Sequence, residues 1–384
     1  MHRLLFILPS IHIGGTTSVL ISMLNSFDPD EISIDIFPIM DGNLDDSVLS
    51  EHVVGNNWLT TAFYGNYSSL GMSDKTKSLP IRLLKQIPWI NKIIERIVVN
   101  HTISNIRKKS AYDYIVSFQE GLATRFTSYI KGCRKIAWIH CDYANNYTKN
   151  TEEGELYNSF CKIVCVSDYT KKGFVGQYPF LLNKTYSIHN LFDTQRILKL
   201  SKDGVDDVNI SKDSFTILSV GRISRVKRFS LIPKIAKELS ENNIHFKWYI
   251  IGSVAETAEF NHLIEEIKIN DVSDYVIYLG AKTNPYPFFI EADLLVTLSQ
   301  SEACPMIFNE AKVLNLPILS TNFGSSYEFI DQGIDGFIVP IEDISQKITQ
   351  LYREPEILKR IKNPKERIDE NDTIIEQVKN IFKL

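Results

Sequence analysis

Short, almost unbroken apolar runs alternate with longer stretches of helical period along the first half of the chain. "RLLFIL" (3–8) is apolar at consecutive positions, as a strand buried on both faces must be, and "TTSVLISMLNSF" (16–27) predicts a helix with Thr16 as its N-cap. Further strands are predicted at "ISIDIFPI" (32–39), "YDYIVSF" (112–118), "KIAWIH" (135–140), "KIVCVS" (162–167) and "KTYSIH" (184–189). Residues 190–213 turn polar and rich in Asp and Lys, which marks a linker. A second series then begins with "FTILSV" (215–220), "FKWYII" (246–251), "YVIYLG" (275–280), "DLLVTL" (293–298), "LPILST" (316–321) and "GFIVP" (336–340), followed by a helical tail over 354–384. Strands that alternate with helices imply parallel sheets covered on both faces, so the chain reads as two α/β domains in tandem. We place them at 1–195 and 196–363, with a last helix at 364–384 packing back on the first.

Composition narrows the class without changing that picture. The 384 residues, 44% hydrophobic and 23% charged, are enough for sizeable cores and exclude wholesale disorder. A net charge of −4 gives no signal for nucleic acid. The five cysteines, Cys133, Cys141, Cys161, Cys165 and Cys304, form no CxxC pair, which points to reduced thiols and a cytoplasmic protein. In "MHRLLFILPS" the apolar run is too short for a signal peptide and Pro9 cuts it, so a first strand is expected instead. No apolar run approaches the roughly 20 residues of a membrane-spanning helix.

Ligands of open parallel sheets bind beyond the carboxyl ends of the strands, so the loops that follow each strand hold the candidate chemistry. After the first strand, Gly14 and Gly15 in "PSIHIGGTT" would admit a ligand to the backbone at a helix N-terminus, although a tight turn explains the pair equally well. The absence of GxGxxG and GxxxxGK[ST] argues against a nicotinamide cofactor and a P-loop. His140 ends the strand "KIAWIH", where a structural role competes with a catalytic one. In "SVGRISRVKRF" (219–229), Gly221 precedes Arg222, Arg225, Lys227 and Arg228; a fork and a point charge at a strand end suit a diphosphate, and Arg222 and Lys227 are the candidates. Arg225 and Arg228 read as a solvated basic loop.

The stretch "SQSEACPMIFNEAK" (299–312) holds Glu302 in a loop and Glu310 eight positions on, with Pro305 expected in the first helical turn between them. The free N–H groups around Met306 and Ile307 would form another anion site. Eight helical positions span roughly 10 Å, long for the carboxylate pair of a glycosidase, which lies about 5 to 9.5 Å apart. The two glutamates would instead accept hydrogen bonds from opposite ends of one elongated ligand. A helix with an acidic start fits the stretch equally well.

These motifs together resemble the retaining glycosyltransferases of the GT-B fold, the GT4-like group 1 type that builds bacterial surface polysaccharides and glycolipids. The resemblance covers nearly the whole chain, through "LPSIHIGGTTSVL", "WIHCDY", "IHNLFD" (188–193), "SVGRISRVKRF", the block from "YLGAKTNPYPFF" to "LPILST", and "IDQGIDGFIVP". It implies two Rossmann-like domains facing across a cleft, an acceptor domain followed by a nucleotide-sugar domain. It implies that Glu302 binds donor-sugar hydroxyls, Glu310 the ribose, Arg222 and Lys227 the diphosphate, Gly14 and Gly15 donor phosphate or acceptor, and that His140 contacts the donor sugar. Gly221, Met306 and Ile307 would complete the donor site, and Asn190 and Asp193 would be structural. The implied substrates are a nucleotide sugar, UDP-linked by family habit, and a saccharide or lipid-linked saccharide acceptor. No cofactor and no metal are expected; "DPD" (28–30) follows a helix and reads as a turn. Two departures bear on donor choice: Ala303-Cys304 stands where Gly-Phe is usual after the first glutamate, and "GSVAE" (252–256) replaces a GDG-like turn.

One further segment stands apart. Residues 75–109 carry nine Lys or Arg and a single Glu, and "IRLLKQIPWINKIIERIVV" (81–99) mixes those cations with Leu, Ile and Trp89. Such a helix lies on an anionic membrane surface or docks on the first domain, and both hold together if one face packs while Lys85, Lys92 and Arg96 point out. The first alternative predicts a peripheral location on the inner face of the cell membrane. The readings that compete with a transferase are a non-catalytic GT-B partner subunit or saccharide-binding protein and, on the shared fold alone, a nucleotide-sugar epimerase.

Overall fold

The computed structural model describes the chain except for residues 1, 12–13, 41–46, 55–57, 65–77, 79–80, 82, 85, 110, 205–209, 211–212, 363–370 and 384. It divides into two compact units, Met1–Leu191 with Glu370–Leu384, and Phe192–Asp369.

The first unit holds β1 (His2–Leu8), β2 (Ile32–Pro38), β3 (Tyr114–Ser117), β4 (Arg134–Ile139), β5 (Lys162–Cys165) and β6 (Thr185–Ser187). They form a parallel sheet in the order β2-β1-β3-β4-β5-β6. The chain therefore winds one way from β1 to β2 and the other way from β1 to β3, and the reversal lies between β1 and β3. The C-terminal helix Asn371–Phe382 belongs to this unit: the Phe382 ring lies 5.5 Å from Tyr114 and 6.5 Å from Phe6, and Lys162 Nζ donates to the carbonyl of Ile381 at 2.6 Å.

The second unit repeats the architecture with β7 (Phe215–Val220), β8 (Phe246–Ile251), β9 (Val276–Tyr278), β10 (Leu294–Thr297), β11 (Ile318–Thr321) and β12 (Gly336–Val339). The order is β12-β11-β10-β7-β8-β9, again parallel, with its reversal between β7 and β10, paired at Leu294 with Ile217 and Leu295 with Leu218. Both faces of this sheet are covered, which is why its strands read as apolar runs rather than alternating ones. Leu294 and Val296 of β10 enter one core with Ile217, Trp248 and Ile348, while Leu295 enters the other with Leu218, Phe308 and Phe329.

Three local expectations are corrected. The first helix runs Gly15–Ser26 with Gly14, not Thr16, as N-cap, because the Ser18 N–H already bonds the Gly14 carbonyl at 3.0 Å. Pro305 is itself the N-cap, in extended conformation, and the helix is Met306–Val313. The polar stretch read as a linker contains a helix, Thr194–Leu200, whose N-cap Asp193 accepts from the Arg196 N–H at 2.9 Å. Asp28 accepts from the Asp30 N–H at 2.9 Å, which makes "DPD" an Asx turn.

Candidate functional site

The reversal of strand order in the second unit brings the loops after β7 and β10 side by side, and such a reversal opens a ligand crevice beyond the strand ends. The β7 loop leaves through Gly221 at φ 156, bends through a 3-10 turn at Arg225–Lys227, and recovers at Arg228, which holds φ 54. That left-handed backbone costs a non-glycine residue of order 1 kcal/mol. The β10 loop is tied to it by the Gln300 N–H, which donates to the Val226 carbonyl at 2.8 Å.

Across this junction Lys227 Nζ donates to Glu302 Oε1. The same oxygen accepts from Ser299 Oγ at 2.7 Å, and Ser325 Oγ holds the Glu302 carbonyl at 2.7 Å. Ser299 is fixed in turn, since Thr321 Oγ1 donates to its carbonyl at 2.6 Å. Glu302 is thus held by three residues, Lys227 and Ser299 on its carboxylate and Ser325 on its backbone carbonyl, from the loops that follow the neighbouring strands β7, β10 and β11. Arg222, one residue past Gly221, is exposed and has no hydrogen-bond or ion-pair partner among the described residues.

Glu310 lies in the second turn of the helix Met306–Val313. Burial pushes its carboxyl up to about 7, against the opposing pull of a hydrogen bond from Tyr286 Oη at 3.3 Å and of the Lys227 charge. Lys227 bonds Glu302, and its charge also favours the ionised form of Glu310. Met306 and Ile307 occupy the first turn of that helix, where backbone N–H groups have no carbonyl four residues back to bond.

Gly252 closes the site from the β8 side. A Cβ there would lie 1.7 Å from the Gly221 carbonyl oxygen, so the two loops pack backbone on backbone. The Gly221 N–H bonds the Ile251 carbonyl at 2.9 Å and the Ile223 N–H bonds the Ser253 carbonyl at 2.8 Å. "GSVAE" therefore keeps the one glycine that the packing demands. Ala303 is buried and Cys304 packs against the core that holds Phe308 and Phe323.

In the first unit the reversal lies between β1 and β3, and β4 is next in order. Gly14 and Gly15 follow β1 and His140 follows β4. A Cβ on Gly14 would meet no atom within 4 Å and its φ of 167 is plain extended backbone, so packing does not require glycine there. The His140 ring stacks edge-on against Phe118 at 4.7 Å, and its Nε2 is buried with no hydrogen-bond partner among the described residues. Burial lowers the imidazole to about 3, so the ring is neutral at physiological pH.

Between these loops, directly after β3, stands Glu120. Its Oε2 accepts from the His140 N–H at 2.9 Å, its carboxyl also bonds the Cys141 side chain, and burial raises it above the usual carboxylate range. The sequence reasoning missed Glu120, although "QEG" directly follows a buried strand, and Gly121 makes the turn at φ 74. Tyr286, Ser299 and Ser325 were missed as well; the first two stood in stretches already singled out, but hydroxyls that support a carboxylate have no spacing rule of their own. Among the described residues no group of three or more His, Cys, Asp or Glu side chains gathers as a metal-binding set.

Residues 203–367 match the family model of glycosyl transferases group 1. An uncharacterised glycosyltransferase of Methanocaldococcus jannaschii is 25% identical over 291 residues, 71% of this chain and 66% of that protein. The UDP-Gal:alpha-D-GlcNAc-diphosphoundecaprenol alpha-1,3-galactosyltransferase of Escherichia coli is 22% identical over 271 residues, 66% of this chain and 68% of the relative. The chain thus spans about two thirds of the length of each. Among solved structures, Anabaena HepE in complex with UDP and glucose superposes over all of both chains with a TM-score of 0.75 at 17% identity. That likeness gives the fold: two α/β units of the GT-B type.

Proposed function

We propose that this chain, whose residues 203–367 match the family model of glycosyl transferases group 1, is a retaining glycosyltransferase that moves a sugar from a nucleotide-sugar donor, UDP-linked, to a saccharide or lipid-linked saccharide acceptor. The observation that carries the reading is the Lys227–Glu302 pair at the strand-order reversal, with Arg222 exposed in the same loop and Glu310 in the helix that follows Glu302. A diphosphate supplies the anion that Arg222 is free to take and that Lys227 shares with Glu302. Glu302, held by Ser299 and Ser325, then accepts from hydroxyls of the donor sugar, and Glu310, with Tyr286, from the ribose. The N–H groups of Met306 and Ile307 face the same anion. The nucleotide follows HepE, whose complex contains UDP, and the acceptor class follows the name of the Escherichia coli relative.

The chemistry needed is charge stabilisation. As the sugar–oxygen bond breaks, the anomeric carbon becomes positive and the leaving diphosphate gains negative charge, which Arg222 and Lys227 take up from fixed positions. The departing phosphate oxygen accepts the proton of the acceptor hydroxyl while the hydroxyl oxygen forms the new bond to the anomeric carbon on the face the phosphate leaves, so configuration is retained. With two cations in that role, no divalent metal is assigned a step. In the first unit, Gly14 and Gly15 are assigned to close backbone approach, and neutral His140 to hydrogen bonding of a sugar through Nε2.

Thermal unfolding in the presence of a chelator tests the donor site. UDP should raise the midpoint more than GDP, ADP or CDP; at 100 times its Kd a ligand adds about 2.7 kcal/mol. Arg222→Ala should abolish the shift while leaving the unliganded midpoint in place. No shift with any nucleotide would move the reading to a non-catalytic partner of the same fold.

A further inference from the structure

The helix Pro88–Lys109 is apolar on two faces. Its inward residues Val98, Val99, Ile103 and Ile106 lie in the core of the first unit. Trp89, Ile93 and Ile97 recur every fourth residue on another side and are left 67%, 50% and 60% exposed. Just before the helix, Leu83, Leu84 and Ile87 are exposed as well. A helix that meets only water puts polar residues at such positions, and single exposed apolar side chains are ordinary where a row of this length is not.

Charge completes the pattern. Lys92 and Arg96 are exposed beside the apolar row; Lys92 Nζ lies 3.3 Å from Glu152, itself exposed, and the Arg96 guanidinium rests 5.4 Å from the Tyr129 ring centroid. Glu95, the one acid of 75–109, is turned inward and 3% exposed. It accepts from Tyr64 Oη at 3.0 Å and lies 3.5 Å from Arg125 Nε. The outward face thus shows cations with no carboxylate from its own helix, in a protein of net charge −4. Lys75, Lys77, Arg82 and Lys85 lie outside the described residues.

We infer that this face docks on an anionic lipid bilayer, with Trp89, Ile93 and Ile97 entering the boundary between headgroups and acyl chains and Lys92 and Arg96 meeting lipid phosphates. Charge selects this occupant over a second copy of the chain. A two-fold contact sets each patch against itself, and would bring Lys92 and Arg96 against their own equivalents. An anionic surface instead attracts each Lys or Arg near it by roughly fivefold in affinity, and the apolar row gains from leaving water. The inference does not depend on the glycosyltransferase reading.

The test is co-sedimentation of the full chain with vesicles of phosphatidylcholine alone or mixed with phosphatidylglycerol, at low and high salt. The protein should pellet with the anionic vesicles at low salt, with a blue shift of tryptophan emission that Trp89→Phe removes. The double variant Trp89→Ser, Ile97→Ser should stay in the supernatant. Lys92→Glu, an exposed change that leaves the core untouched, should weaken binding about tenfold or more with an unchanged unfolding midpoint. Equal sedimentation with neutral vesicles, or none with either, would overturn the inference. So would a dimer in analytical ultracentrifugation that the double variant dissolves, which would give the face to a second copy.

Discussion

Glu310 is the residue whose chemistry is most exposed to test. Its carboxyl titrates near its ordinary 4.5 in the unfolded chain and at about 7 in the folded one. Between those values the folded state holds a proton that the unfolded state has lost, so stability falls as pH rises through that window and is level above it. Glu310→Gln should remove this slope from the unfolding midpoint. A ribose hydroxyl that donates to Glu310 favours the ionised form, so UDP binding at about pH 6 should release a proton. Calorimetric titration in two buffers of different ionisation enthalpy would read that proton in the parent chain and not in Glu310→Gln; release that persists in the variant would separate Glu310 from the nucleotide. The residue was legible in the sequence as one of two spaced carboxylates. Its proton affinity was not, because that depends on burial and on Tyr286, which begins the helix Tyr286–Glu291.

At the scale of elements, two glycines make opposite predictions. Gly252→Ala drives a methyl into the Gly221 carbonyl, a backbone atom that cannot turn aside, and should cost about 3 kcal/mol or more. Gly14→Ala meets open space and should cost at most about 1 kcal/mol, the difference between the two residues at an N-cap. If Gly14 serves a ligand, the same change should cut transfer activity far more than stability. Unfolding curves of the two variants, with activity for Gly14→Ala, check both. Strands buried on both faces were readable from their apolar runs. The order of strands was not, since the sequence carries no mark of which strand sits beside which, and Glu120 went unseen for that reason: it matters because β3 lies between β1 and β4. Helix starts slipped by one or two residues where proline and glycine cap by backbone conformation alone.

For the molecule as a whole, each unit carries its candidate chemistry where its own strand order reverses, which is where parallel sheets bind ligands. The spacing of "SVGRISRVKRF" and of "SQSEACPMIFNEAK" located those loops, and the parallel pairing of β7 with β10 is what makes them one site. Anomeric proton NMR reads the proposed sugar transfer with retention directly. The protein would be mixed with UDP-glucose, UDP-galactose or UDP-N-acetylglucosamine, a chelator, and a bacterial extract of lipid-linked saccharides as acceptor. One donor's α-anomeric signal should fall while a new α-linked one grows, and Lys227→Ala should abolish both changes. A β-linked product would rule out retention, and a donor that binds and is never consumed would rule out transfer.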